Sequence, residues 1–202
     1  MKLSILIPTI PARASVLSRL IAEFKRQGQG REEEFEIIEY MTEPYNKDDK
    51  STWIGAKRQY CLELAKGDAV VFFDDDDTPH RNYIPLILDA WNPDTDCIGF
   101  KVACYGYANG GNSPEVMEPA DVSILYRKWA NDQNGFKYVR CPHHIVPIKR
   151  EHALAAGFPE IHHGEDHEYS LRLRDSGRLK NEAYIDEFMY LYMFDGKKKK
   201  GE

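Results

Sequence analysis

Ala69-Val70-Val71-Phe72-Phe73 runs without a break into Asp74-Asp75-Asp76-Asp77. Five apolar residues, all but one β-branched or aromatic, are too few for an ordinary helix and read as a strand buried on both faces. The four aspartates therefore stand at the carboxyl end of that strand. Working backward, Ile54 to Ala65 reads as a helix closed by Lys66-Gly67, a good C-terminal signal. Leu3 to Ile7 is a second buried strand, ended by Pro8. Between them lie a helix capped by Ser15, with Val16, Leu17, Leu20, Ile21 and Phe24 at helical spacing until Gly28 and Gly30, and a short strand from Phe35 to Tyr40. Met41 to Thr52 is polar and rich in turn formers, so it reads as a loop. Strands alternating with helices imply parallel βαβ units and an α/β sheet flanked by helices. In such sheets ligands bind beyond the carboxyl ends of the strands, where Pro8-Thr9, the loop after Tyr40 and Asp74 to Asp77 should meet.

Working forward, Tyr83 to Ala90 reads as a helix, Ile98 to Tyr105 as extended chain and Gly106 to Pro119 as a loop. Lys149 to Ala156 and Glu165 to Arg174 are expected helices separated by Gly157-Phe158-Pro159, and Ala183 to Phe194 supplies one or two final strands. The 202 residues suit one domain spanning 1–196, with a nucleotide half to about residue 105, an acceptor half from about 106, and a basic tail over 197–202.

Composition excludes several classes. With 42% hydrophobic and 30% charged residues, the chain is neither disordered nor fibrous. Cys61, Cys97, Cys104 and Cys141 form no CxxC pair, which argues against a zinc ribbon or a disulfide framework. A net charge of −6 disfavours a general nucleic-acid footprint. The apolar runs are too short to span a bilayer and no signal peptide is evident, so a cytoplasmic protein is expected. The run Lys197 to Lys200 reads as a solvated end.

The chemistry centres on two acidic groups. Four adjacent aspartates repel one another, and a divalent magnesium or manganese ion, which favours hard oxygen ligands, would offset that. The plainer alternative is an acidic turn, with Asp77-Thr78-Pro79 capping the next helix. Glu165-Asp166 opens a helix, where acids are favoured by the macrodipole, but a carboxylate there is also a candidate proton acceptor. His162, His163 and His167 flank this pair and His143-His144 precede it. A zinc-hydrolase reading lacks HExxH spacing, and His163 is the first choice among these histidines for contact with phosphate, metal or acceptor. Tyr105, Tyr107 and Trp129 suit either an aromatic platform or the core.

Four segments in order, Ser4-Ile5-Leu6-Ile7-Pro8-Thr9, Ala56-Lys57-Arg58-Gln59 running into Glu63 to Asp68, Phe72-Phe73-Asp74-Asp75-Asp76-Asp77, and Gly164-Glu165-Asp166 before Leu171-Arg172-Leu173, resemble family-2 glycosyltransferases of the GT-A fold. The resemblance covers about residues 3 to 192. It implies an inverting enzyme that moves a sugar from a nucleotide-diphosphate donor, UDP being the expected nucleotide, to a hydroxyl acceptor. It implies Asp74-Asp75-Asp76 as the DxD motif, with Asp76 foremost and Asp74 beside it as ligands of Mn2+ or Mg2+. Pro8, Thr9 and Arg13 match the loop that holds base and ribose, and Arg58 matches a basic position near the phosphates, against a surface arginine as the plain reading. Glu165-Asp166 matches the catalytic acidic pair, with Asp166 as general base. Two departures stand out: the second strand ends in Tyr40-Met41-Thr42-Glu43 where the family has an acid for the base, and Tyr190-Leu191-Tyr192-Met193 lacks the late histidine that is often a metal ligand. Acceptors left open are a glycan, a lipid-linked glycan, a protein side chain or, disfavoured by charge, a nucleic-acid base. A non-catalytic sugar- or nucleotide-binding module and a nucleotidyltransferase are the rivals, although Pro8-Thr9-Ile10-Pro11 is unlike the glycine-rich phosphate loop of the latter.

Overall fold

The computed structural model describes residues 2–106 and 116–194. In chain order its elements are β1 (Leu3–Thr9), α1 (Ala14–Gln27), β2 (Phe35–Met41), α2 (Ile54–Leu64), β3 (Ala69–Phe72), β4 (Thr78–Pro79), α3 (Tyr83–Ala90), β5 (Cys97–Gly106), β6 (Val116–Val122), β7 (Ala130–Gln133), β8 (Phe136–Arg140), β9 (Ile148–Lys149), α4 (Arg150–Ala156), α5 (Glu165–Asp175) and β10 (Glu182–Phe194). They form the expected α/β architecture, a mixed and mostly parallel sheet flanked by helices.

The strand order is β2-β1-β3-β9-β5-β6-β8-β7, with β10 paired to β5 and β4. β1 runs parallel to both β2 and β3 and all seven of its residues are buried, which fits its largely apolar composition; its Ser4 hydroxyl is satisfied by Glu36 at 2.6 Å. β10 lies parallel to β5 from Glu182 to Phe194, with register irregularities around Phe188, so the last segment is one strand. No helix is long and apolar enough to cross a membrane among the described residues.

Several local expectations change. Ser15 does not cap α1: Pro11–Arg13 forms a 3-10 turn, the chain enters α1 through Arg13, and no side chain caps it. Proline's fixed φ nucleates that turn, and the turn leads Arg13 toward the aspartates. Val116 to Pro119, read as loop, belongs to β6, while residues 107–115 of that loop, Tyr107 among them, and the basic tail lie outside the described residues. β6, β7 and β8 carry no clear alternating signal because they hold Pro119, Asn131, Asp132 and Gln133, and β7 is largely exposed. The β7–β8 turn is made by Asn134 and Gly135, both at positive φ.

α2 is not a simple amphipathic helix. It buries Gly55, Lys57, Arg58, Cys61 and Leu62 together. At Gly55 a Cβ would meet the Pro159 carbonyl oxygen at 2.0 Å, and the Gly55 N–H donates to the Ile161 oxygen at 3.1 Å. The helix thus seats directly on the chain leading into α5.

Candidate active site

The four aspartates after β3 have four different environments. Asp74 accepts from Arg58 Nη2 at 3.0 and 3.3 Å, and its Oδ2 lies 3.7 Å from His144 Nε2. Burial would push its carboxyl up, but Arg58 and His144 outweigh that and hold it well below the usual range. Asp75 is buried and accepts from Thr9 Oγ1 at 2.5 Å and Arg13 Nη1 at 2.6 Å. Asp76 is 42% exposed and pairs with Arg13 Nη2 at 3.0 Å. Asp77 accepts from the Tyr190 hydroxyl at 2.6 Å and the Met193 N–H at 2.8 Å. Burial, with Asp74 adding to it, pushes Asp77 up to about 8.

The plainer alternative of an acidic cap is not what this turn forms: Asp77 caps no helix, since α3 starts at Tyr83 and Asp77 instead ties the β3 turn to β10. Arg13 and Arg58 offset part of the repulsion within the run.

Arg58 is 5% exposed, not a surface arginine, and it bridges Asp74 to Glu165, joining the β3 turn to the start of α5. Burial raises the Glu165 carboxyl. In Asp166 burial is outweighed by His144, Arg58 and His143, so its carboxyl sits below the ordinary range. Gly164, at φ 78°, turns the chain into α5 and sets both acids in its first turn.

Arg58, Asp74, Glu165 and Asp166 all line one cavity of about 460 Å³, together with His143 and His144. Pro8, Thr9, Arg13, Asp75 and Asp76 are not among the residues lining it; the last four form a hydrogen-bonded group beside it, where β1 and β3 end. Of the histidines, His143 and His144 reach the cavity, with their Nδ1 atoms 3.3 Å apart. His163, the first choice from the sequence, is not among the residues lining this cavity: it packs on His162, which stacks on Tyr45 at 3.8 Å. His167 meets Trp129 edge-on. Trp129 lines the cavity and Tyr105 does not. The reading from sequence passed over Tyr138, Arg140 and Glu118, which also line it, and Lys57, whose buried ammonium donates to the Glu43 oxygen at 2.9 Å. For Glu118, Tyr138 and Arg140 the signal was alternate spacing along strands that were not evident from the pattern.

Among the described residues, no three His, Cys, Asp or Glu side chains stand close enough to hold an ion unaided. Exposed Asp76 and the neighbouring Asp74 offer hard oxygens, a donor set that fits an ion arriving with a diphosphate and sharing its oxygens rather than one held in a protein cage.

A search of curated proteins finds no match. Among solved structures, S. aureus TarS is similar at 14% identity and TM-score 0.63, over 96% of this chain and 37% of that one. The TarS 1–349 structure in complex with UDP gives 15% identity and TM-score 0.65, over 96% and 61%. A mutant of Drosophila beta-1,4-galactosyltransferase 7, in complex with manganese, UDP-Gal and xylobiose, gives 13% identity and TM-score 0.58, over 98% and 73%. The chain thus spans less than two thirds of the TarS structures, and at these identities the likeness establishes the GT-A fold alone. The model for glycosyl transferase family 2 matches residues 45–154, which contain α2, the aspartate run, β9 and the first five residues of α4, and with more than half of its length so matched the chain belongs to that family.

Proposed function

We propose that the chain is an inverting glycosyltransferase that moves a sugar from a nucleoside-diphosphate sugar, UDP being the nucleotide, to a hydroxyl acceptor. The observation that carries this reading is the sharing of one cavity by Asp74 and Arg58 from the β3 side and Asp166 from α5. The structures of similar fold that hold UDP, or manganese with UDP-Gal, support the donor class. The described residues are read as one domain, its nucleotide half before about residue 105 and its acceptor half after it.

Asp166, ionised at neutral pH, takes the proton from the acceptor hydroxyl as its oxygen forms the new bond to the anomeric carbon. Attack comes from the face opposite the departing diphosphate, the old C–O bond electrons leave with that group, and configuration inverts. Glu165, locked to Arg58, orients the start of α5 rather than moving the proton. Thr9 and Arg13 fix Asp75 and hold the loop that would receive base and ribose. Asp76 and Asp74 would hold a divalent ion, and the chemistry it would supply when bound is Lewis-acid neutralisation of the leaving diphosphate.

The test is Asp166→Asn. Turnover should fall by roughly 10²–10⁴-fold with UDP affinity unchanged, and full turnover in the variant would remove Asp166 from its role. A non-catalytic binding module is the second reading, favoured by the pairing of Asp74, Asp75 and Asp76 with arginines in the protein itself. UDP-sugar hydrolysis in the presence of manganese separates the two, since only a working site hydrolyses donor.

A further inference from the structure

The cavity has two chemically different ends. Arg58, Asp74, His143, His144, Glu165 and Asp166 make one. The other is a face of the sheet formed by β10, β5, β6 and β8. Strand register puts Tyr190, Val102, Ala120 and Tyr138 in one row across it, and Tyr192, Cys104 and Glu118 in the next. All seven line the cavity. Small apolar residues and one thiol therefore occupy the middle of this floor, and tyrosine rings rise on its flanks.

Two hydroxyls of that floor are already in use: that of Tyr190 donates to Asp77 at 2.6 Å, and that of Tyr138 donates to Glu118 at 2.8 Å. Arg140, the register partner of Val122 on the same floor, lies over the Trp129 and Tyr138 rings with its Nη atoms on the Ala130 oxygen and Asn131, and the Trp129 indole N–H donates to Ser170 Oγ at 3.0 Å. Between Glu118 and Arg140, the described side chains of Val102, Cys104, Ala120 and Val122 offer aliphatic surface and a thiol. A bare sugar laid on these four would lose water from several hydroxyls without gaining partners from them. An apolar group would gain by leaving water.

We infer that the acceptor is an amphipathic hydroxyl compound, its reactive hydroxyl at Asp166 and an aryl or alkyl group on the floor of Val102, Cys104, Ala120 and Val122. This rests on the transferase reading of the same cavity. It names the acceptor class that reading leaves open, in place of a purely polar glycan.

The experiment is ligand-observed NMR on the full chain with UDP present, comparing phenyl and methyl β-glycosides of glucose, galactose, N-acetylglucosamine and xylose. For at least one sugar the phenyl glycoside should bind roughly tenfold tighter or more. Cys104→Phe, which fills the floor without touching the polar end, should cut that advantage to within about twofold while methyl glycosides bind as before; the wild-type ratio decides the matter should the variant not fold. Equal affinities, a disaccharide that displaces the phenyl glycoside, or no glycoside binding would each overturn the inference. Binding needs no turnover, so a failure of sugar transfer alone would count against the functional reading and leave this one standing.

Discussion

Arg58 shows how one side chain joins two remote stretches of sequence. Its guanidinium lies between Asp74 and Glu165, and all three are withdrawn from water to different degrees. Removing the cation leaves a buried carboxylate with no partner, which generally costs about 3–5 kcal/mol. Arg58→Met should therefore lower unfolding free energy by about that amount in urea titration, and Glu165→Gln in the same background should recover part of it. A change below about 1 kcal/mol would show the triad to be incidental. Asp76 calls for a different measurement, because it is exposed and its loss should not unfold anything. Asp76→Asn is expected to weaken manganese-dependent UDP binding in calorimetry while leaving metal-free UDP binding unchanged. Equal manganese dependence in both proteins would take the metal role from it. Arg58 also marks the limit of reading by spacing: the motif located it, but on α2 nothing in the pattern distinguished a solvated arginine from a buried one.

Elements transmit these contacts. α2 reaches the 159–161 chain through Gly55, and a methyl group there has no room against two backbone carbonyls. Gly55→Ala should destabilise the fold by roughly 1–3 kcal/mol through overpacking, seen as a lower urea midpoint; an unchanged midpoint would mean the two segments separate freely. The start of β10 carries a pH-sensitive joint. Burial above all raises the Glu182 carboxyl, against hydrogen bonds from Ser123 Oγ at 2.6 Å and the Ile124 N–H at 2.9 Å. A folded state that keeps this proton longer than the unfolded chain gains stability that is fully present below the ordinary glutamate value of 4.5 and is lost as pH rises through the raised one. Glu182→Gln, which cannot ionise, should gain on wild type as pH is raised from 4.5, read as diverging urea midpoints across a pH series. Midpoints that stay parallel would count against the raised carboxyl.

At the scale of the whole molecule, ligand should bind the folded chain and not the unfolded one, so UDP with manganese at 100 times its dissociation constant should add about 2.7 kcal/mol of stability. Chelation by EDTA should remove the metal-dependent part of the thermal shift, and no loss on chelation would argue for nucleotide binding without an ion. The first half of this architecture was legible because a strand covered on both faces is largely apolar, so Leu3 to Ile7 and Ala69 to Phe73 announce themselves and the acids that follow Phe73 must lie at the ligand-binding end of the sheet. That Glu165-Asp166 opens a helix was legible too, from the run of residues that follows it. The partners of those acids were not. That Arg13 and Arg58 neutralise the aspartates, that Asp77 ties to Tyr190, and that His144 rather than His163 reaches the cavity depend on contacts between residues 16 to more than 100 positions apart. Local spacing in the chain dictates which chemistry stands at the strand ends, because periodicity is enforced by backbone geometry. Which charges are paired, buried or left facing the cavity depends on dielectric environment and distance, and neither exists until the chain has closed upon itself.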